Sequence, residues 1–212
     1  PCTTLFRSRM HDAIAALINH YYAGQLSSGK AGQKAGFDQY PGQEGTGWER
    51  ILSLGRKIFI NSPYEAAPKM NRTEAQWVAS LLGHLKARYG AEFSKDTVGV
   101  VTPWRTQIGL IRELITGDEA LQDINIDTVE RFQGSENDTI IVSLAVYHAA
   151  QLHTLQCLGQ FKWEEEEIEV DRKLLVTLAR VRKPVILLGH EPVLKESPHY
   201  RKVLKEMVKG SL

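Results

Sequence analysis

Five short runs rich in β-branched and aliphatic residues recur along the chain: Arg56–Asn61, Thr97–Thr102, Ile124–Val129, Thr139–Leu144 and Val185–Leu188. Most are separated by stretches whose apolar residues recur at helical spacing. Asn71 can cap a helix with Glu74 three residues on and Ala75, Val78, Ala79, Leu82 and Leu85 along one stripe. Pro103 suits the first position of another, capped by Thr102, with Ile108, Ile111, Leu114 and Ile115 facing inward. Asp171 can cap a third, running to about Arg182, with Leu174, Leu175 and Leu178 buried. A helix over residues 12–23 precedes them, and residues 24–50 read as a glycine-rich loop. Strands that alternate with amphipathic helices pair in parallel through right-handed crossovers. The expected architecture is therefore α/β, a mostly parallel sheet with helices on both faces. The tail reads as a polar helical segment interrupted by Pro192 and Pro198.

Composition narrows the function classes. With 212 residues, 42% hydrophobic and 24% charged, the chain has enough apolar surface to bury a core. No apolar run approaches the ~18 residues of a membrane helix. The 26 Lys and Arg nearly balance 25 Asp and Glu, so bulk attraction to nucleic acid is weak and any such contact must be local. Two cysteines without a C-x-x-C spacing, and seven scattered histidines, give neither a disulfide framework nor a structural zinc site. This usage fits a reducing, cytoplasmic home. The start at Pro1 carries no signal peptide, and its abruptness suggests a piece of a longer protein.

Gly24-Gln25-Leu26-Ser27-Ser28-Gly29-Lys30-Ala31 nearly spells a phosphate-binding loop. Its last position should hold a Ser or Thr whose hydroxyl ligates Mg²⁺, and Ala31 has none. The segment also follows a helix where a strand is required. A surface loop is the better account, and the chain alone lacks the phosphate cradle of a motor ATPase.

Four segments gain meaning from their order: Arg9-Met10-His11 before a helix ending Tyr21-Tyr22; Val100-Val101-Thr102-Pro103-Trp104-Arg105-Thr106-Gln107; Asp127-Thr128-Val129-Glu130-Arg131-Phe132-Gln133-Gly134-Ser135-Glu136; and Asp171-Arg172-Lys173-Leu174 leading to Ala179-Arg180-Val181-Arg182. With Asn71-Arg72-Thr73-Glu74-Ala75, they resemble the C-terminal RecA-like motor domain of superfamily 1B helicases, in the branch of the nonsense-mediated-decay helicase. The resemblance runs from about Thr4 to Leu204 and makes residues 1–212 a single, second RecA-like domain with a P-loop-NTPase-type fold.

The resemblance assigns roles to particular residues. Arg180 becomes an arginine finger toward a γ-phosphate held by the preceding domain, with a similar role for Arg9. Taken alone, either arginine would more simply form a surface ion pair. Glu136 matches the glutamate that contacts the nucleotide ribose, with Gln133 and Gly134 shaping its loop. Thr102, Arg105, Gln107 and Thr128 match contacts to single-strand phosphates; helix capping for Thr102 and simple exposure for Arg105 and Gln107 are equal alternatives. Phe132 and Trp104 read as packing residues. Arg182 is expected to face away from Arg180. ATP and Mg²⁺ are the implied cofactors, both held mainly by the preceding RecA-like domain, and this chain itself offers no metal site.

Departures weaken the match at three positions. Ser8 stands where a base-stacking Tyr is usual, with Phe6 and Arg7 as the alternative pair if the loop is shifted. Leu175 and Ala179 replace a hydrogen-bonding Asn and Thr. The implied protein is a monomeric ATP-dependent helicase acting on single-stranded nucleic acid, with no membrane partner, and the isolated chain is expected to be inactive. A non-catalytic nucleic-acid-binding or partner-docking module derived from a degenerate helicase is the alternative. A metal-dependent nuclease is a poor fit, since acids and His form no compact cluster. The segment 149–170 has no assigned function, and its Glu164–Glu167 run reads as a solvated acidic loop.

Overall fold

The computed structural model describes residues 6–8, 10–22, 24, 26–28, 47–67, 69–132, 136–163 and 166–212. In chain order the strands are β1 (Phe6–Ser8), β2 (Leu26–Ser28), β3 (Lys57–Asn61), β4 (Val98–Val101), β5 (Asn125–Asp127), β6 (Thr139–Ser143), β7 (Leu158–Trp163), β8 (Glu166–Asp171), β9 (Val185–Gly189) and β10 (Val208–Gly210). The helices are α1 (Asp12–Ile18), α2 (Trp48–Ser53), α3 (Arg72–Tyr89), α4 (Arg105–Leu114), α5 (Glu119–Gln122), α6 (Leu152–Leu155), α7 (Arg172–Ala179), α8 (Glu191–Leu194) and α9 (Pro198–Glu206).

The main sheet has six strands in the order β10-β3-β9-β6-β4-β5, and every pairing is parallel. Every residue of β4, β6 and β9 is buried, which is why these strands read as unbroken apolar runs and not as alternations. Successive side chains serve opposite faces. Ile58, Ile60, Val98, Val100, Ile141, Ile186 and Leu188 pack with α2, α3, α4 and α5. Phe59, Val101, Ile140, Val142, Val185 and Leu187 pack with α1, α7 and α9. The sheet is thus covered on both sides, as the RecA-like α/β pattern requires. Each fully buried aliphatic side chain contributes roughly 1.5–3 kcal/mol through removal from water.

Several expected boundaries shift. α4 starts at Arg105, two residues later than Pro103 would place it, and Trp104 is its cap residue. Thr102 is not the helix cap: its hydroxyl approaches only the Trp104 N–H, at 3.5 Å. On α4, Gln107, Leu110 and Ile111 are buried, whereas Leu114 stays 36% exposed. The prolines of the tail begin helices where interruption was expected, because a first-turn residue needs no N–H partner. A further parallel strand, β10, then adds to the β3 edge. Strands β7 and β8 pair antiparallel, Leu158 with Asp171 through Trp163 with Glu166. Glu166 and Glu167 of the acidic run belong to β8; Glu164 and Glu165 lie outside the described residues. The rejected phosphate-loop segment contains β2, which pairs in parallel with β1; residues 29–46 lie outside the described residues.

The connection from β5 to β6 is short and must recross β4, since both flank it. Gly99 makes this possible. A Cβ there would collide with the Phe132 ring and stand 2.8 Å from Asn137 Oδ1. Phe132 is buried, as expected, and seals the crossing against the sheet. Gly99→Val should therefore lower the unfolding free energy by about 1–3 kcal/mol through overpacking. Urea titration followed by tryptophan fluorescence measures this, and an unchanged midpoint would refute the close crossing.

Candidate functional site

The expected site residues separate to opposite ends of the parallel strands. At the end where β6 and β9 begin, Asn137 forms a parallel bridge with Val181. Its N–H donates to the Arg180 carbonyl at 3.1 Å, and its carbonyl accepts from the Arg182 N–H at 2.9 Å. Glu136 is thereby placed beside the Arg180–Arg182 segment. Helix α7 is anchored at its start by buried Asp171, whose Oδ1 accepts from the N–H groups of Lys173 and Leu174 at 3.1 and 3.4 Å. Burial pushes the Asp171 carboxyl upward, against the hydrogen bonds it accepts.

Arg180 is not inside the helix but caps its C-terminus. Among the described residues its guanidinium makes no hydrogen bond or ion pair, and Nε is buried without a partner. A buried donor without an acceptor is costly unless something supplies one. Arg182 does not face away, because α7 has already ended. Its Nη2 lies 3.2 Å from Glu136 Oε2, and its Nη1 lies 4.0 Å from Asp138. The candidate ribose-binding carboxylate is thus held by a cation. Arg9, Gln133 and Gly134 lie outside the described residues.

At the other end of the strands, Arg105 is exposed on the first turn of α4, and Thr128 is half-buried just past β5. The Thr102 N–H donates to the Asp127 carbonyl at 3.2 Å, which ties the ends of β4 and β5. The Thr102 and Gln107 side chains do not join this surface, since both residues are buried. Gln107 Oε1 accepts from the Asn71 N–H at 2.8 Å, and its Nε2 donates to the Asn71 carbonyl and to Ser143 Oγ, each at 3.0 Å. Every polar atom of the amide is thus occupied within the fold. Trp104 is a packing residue as expected: buried, with Nε1 donating to the Leu144 carbonyl at 2.9 Å.

Behind this end sits a group that the sequence pattern assigned only to a cap. Asn71 does cap α3, accepting from the Glu74 N–H at 2.7 Å. The Glu74 carboxylate turns inward, where it is fully buried. Oε1 accepts from Ser62 Oγ at 2.7 Å; Oε2 accepts from Ser143 Oγ at 2.7 Å and from the Ala145 N–H at 3.0 Å. That last bond helps to hold Ala145 at φ 46°, a left-handed conformation unusual for alanine. Glu65 supplies the remaining α3 cap, accepting from the N–H groups of Arg72 and Thr73 at 2.6 and 2.8 Å. The signal for Glu74 was available: it shares the buried stripe of Val78, Leu81 and Leu85.

Comparison with known proteins matches the chain to a family. The family described as an AAA domain matches residues 6–192. The chain belongs to this AAA domain family, among the superfamily 1 helicases. It is 30% identical over 95% of its length to "Putative helicase MOV-10" of Gallus gallus. It is 29% identical over 96% to "Putative regulator of nonsense transcripts 1" of Takifugu rubripes. To the DNA polymerase alpha-associated DNA helicase A of Saccharomyces cerevisiae it is 28% identical over 56%. The chain spans only 22%, 18% and 16% of these three relatives, respectively. Among the described residues of this helicase-family chain, no helix is long and apolar enough to cross a membrane, and no group of three or more His, Cys, Asp or Glu is placed to hold a metal ion.

Glu74→Ala strands two hydroxyls and one N–H in the interior and should cost roughly 2–5 kcal/mol in urea unfolding. Burial raises the Glu74 carboxyl above its ordinary 4.5, outweighing the bonds from Ser62, Ser143 and Ala145 that lower it. A raised folded value means stability is complete below the unfolded value and lost as pH rises through the folded one. Wild type should therefore lose stability relative to Glu74→Gln as pH rises above the ordinary carboxyl value of 4.5. A difference that stays flat as pH rises would contradict the assignment.

Proposed function

We propose that this chain is the second motor domain of an ATP-dependent helicase. The observation that carries this is Arg180: a guanidinium with no partner among the described residues, on a backbone held beside Glu136, in a chain without a complete phosphate-binding loop. An unpaired, partly desolvated arginine fits a polyanion delivered by another domain. The preceding RecA-like domain would supply the phosphate cradle and hold Mg²⁺, which would help to neutralise phosphate charge there. Arg180 would then place a planar, permanently charged fork against the transferring phosphoryl group. Glu136 would accept from the ribose hydroxyls, with Arg182 orienting its carboxylate.

At the opposite strand ends, Arg105 and Thr128 would touch strand phosphates, contacts that position without reading sequence. Buried Gln107 acts behind them by joining α4 to the start of α3 and the end of β6. Because the nucleotide and strand groups lie on one rigid sheet, closure of the interdomain cleft would carry both together. Leu175 and Ala179, where hydrogen-bonding residues are usual, pack against the core beneath α7, so the helix that presents Arg180 remains anchored.

In the intact helicase, Arg180→Ala should slow strand-stimulated ATP hydrolysis by about 10³- to 10⁵-fold. Arg180→Lys should fail similarly, since a point charge on a flexible stem lacks the fork. Arg182→Ala should have its own, smaller effect through Glu136, which makes exposed Arg201→Ala the appropriate control. Steady-state phosphate release beside a thermal melt decides this; near-wild-type turnover in Arg180→Ala would move the finger to another residue, with Arg9 the next candidate, whereas an intact wild-type protein without turnover would favour a non-catalytic strand-binding module. The isolated 212-residue chain should release no phosphate above background, with or without single strand.

A further inference from the structure

The strand ends that carry Arg105 and Thr128 also carry a group of rings outside every segment discussed so far. Tyr64 follows β3 by three residues and is 55% exposed, the most exposed large aromatic among the described residues. Its ring meets Tyr147 at 5.7 Å, His148 at 5.9 Å and His190 at 6.2 Å between centroids, with interplanar angles of 77°, 80° and 67°. Tyr147 and His148 themselves meet at 5.0 Å and 70°. Three separate connections, after β3, β6 and β9, thus converge on one solvent-facing ring.

The backbone on either side of Tyr64 is fixed as well. Ser62 donates to buried Glu74, and Glu65 accepts from two N–H groups at the start of α3. An exposed aromatic held by three edge-to-face neighbours, on a loop tied at both flanks, has little freedom left to lose on binding. The same loop brings exposed Lys69 across toward α4, with its Nζ 5.7 Å above the Trp104 ring and its carbonyl accepting from Thr106 Oγ1. Arg72 and Arg105 are exposed on the adjoining helix starts. An aromatic face beside flexible cations is the chemistry that holds single-stranded nucleic acid without reading its sequence.

We propose that Tyr64 is a stacking platform for a base of single-stranded nucleic acid, braced by Tyr147, His148 and His190, while Lys69 and Arg105 meet the neighbouring phosphates. This rests on the strand-binding role proposed above and adds base stacking to what that role described as phosphate contact alone.

The test titrates the 212-residue chain into fluorescein-labelled oligothymidylate and into an abasic strand with the same number of phosphates, at several salt concentrations. Tyr64→Ala should weaken oligothymidylate binding about tenfold and leave abasic binding unchanged. Tyr64→Trp should restore it. The slope of log affinity against log salt should stay constant in Tyr64→Ala but fall in Arg105→Ala, because only the second removes a phosphate contact. Equal oligothymidylate affinity in wild type and Tyr64→Ala, or equal losses on both strands, would overturn the platform and leave the strand-binding role standing. A wild-type chain that binds neither strand would overturn both.

Discussion

One fully buried carboxylate, Glu74, joins elements that are remote in sequence. Its two oxygens receive Ser62 from the end of β3, Ser143 from the end of β6 and the N–H of Ala145 beyond it. Gln107 extends the same network from α4 to Asn71 and Ser143. A charge or hydroxyl left unpaired at this depth would be expensive, so the members stabilise the fold only as a complete set. Apolar packing on the two faces accepts many small shifts. This network accepts few, and it fixes where α3 and α4 begin relative to the sheet. The exposed groups at that end, from Tyr64 to Arg105, inherit their positions from it.

The opposite end is organised by backbone geometry. The bridge between Asn137 and Val181 sets Glu136 and Arg180 side by side without any side-chain bond between them. Its placement depends on Phe132 and Asn137 lying close over β4, which Gly99 permits. Two kinds of restraint thus serve the two ends: a polar lock where the strands finish, and a steric allowance where they start. The sheet between them carries no polar group in β9 and only Thr139 and Ser143 at the two ends of β6.

The parallel sheet was legible because its central strands are buried on both faces and written in aliphatic residues. The Asn71 and Asp171 caps were legible because their oxygens act within three residues. Gln107 was not, since its partners lie 36 residues away on either side and hydrophobic spacing cannot direct a glutamine inward. The same blindness moved the expected face of α4 toward Leu114. Strands β7 and β8 carry Ile168 and Val170 in alternation, but surrounding glutamates hid the period. β10 is three residues with two exposed, too little apolar signal to register. Arg180 and Glu136 were recognisable by position in a familiar order; that Arg182 would pair with Glu136 depended on where α7 stops.

Strand β10 has a consequence for solubility. β3 presents Ile58, Phe59 and Ile60 in succession, and on the side away from β9 its peptide groups would lie open. An uncovered apolar edge is a template for pairing between molecules. β10 covers that edge residue for residue, Val208 to Ile58, Lys209 to Phe59 and Gly210 to Ile60. The new rim it offers is three residues long with a lysine at its centre, and Lys209 is tied to Glu191 at 2.6 Å. A second molecule finds few peptide groups there and a charge in the way. The last described strand thus works as a guard rail for the sheet, and a chain trimmed before Val208 would expose the β3 edge, with its three successive apolar residues, to self-association.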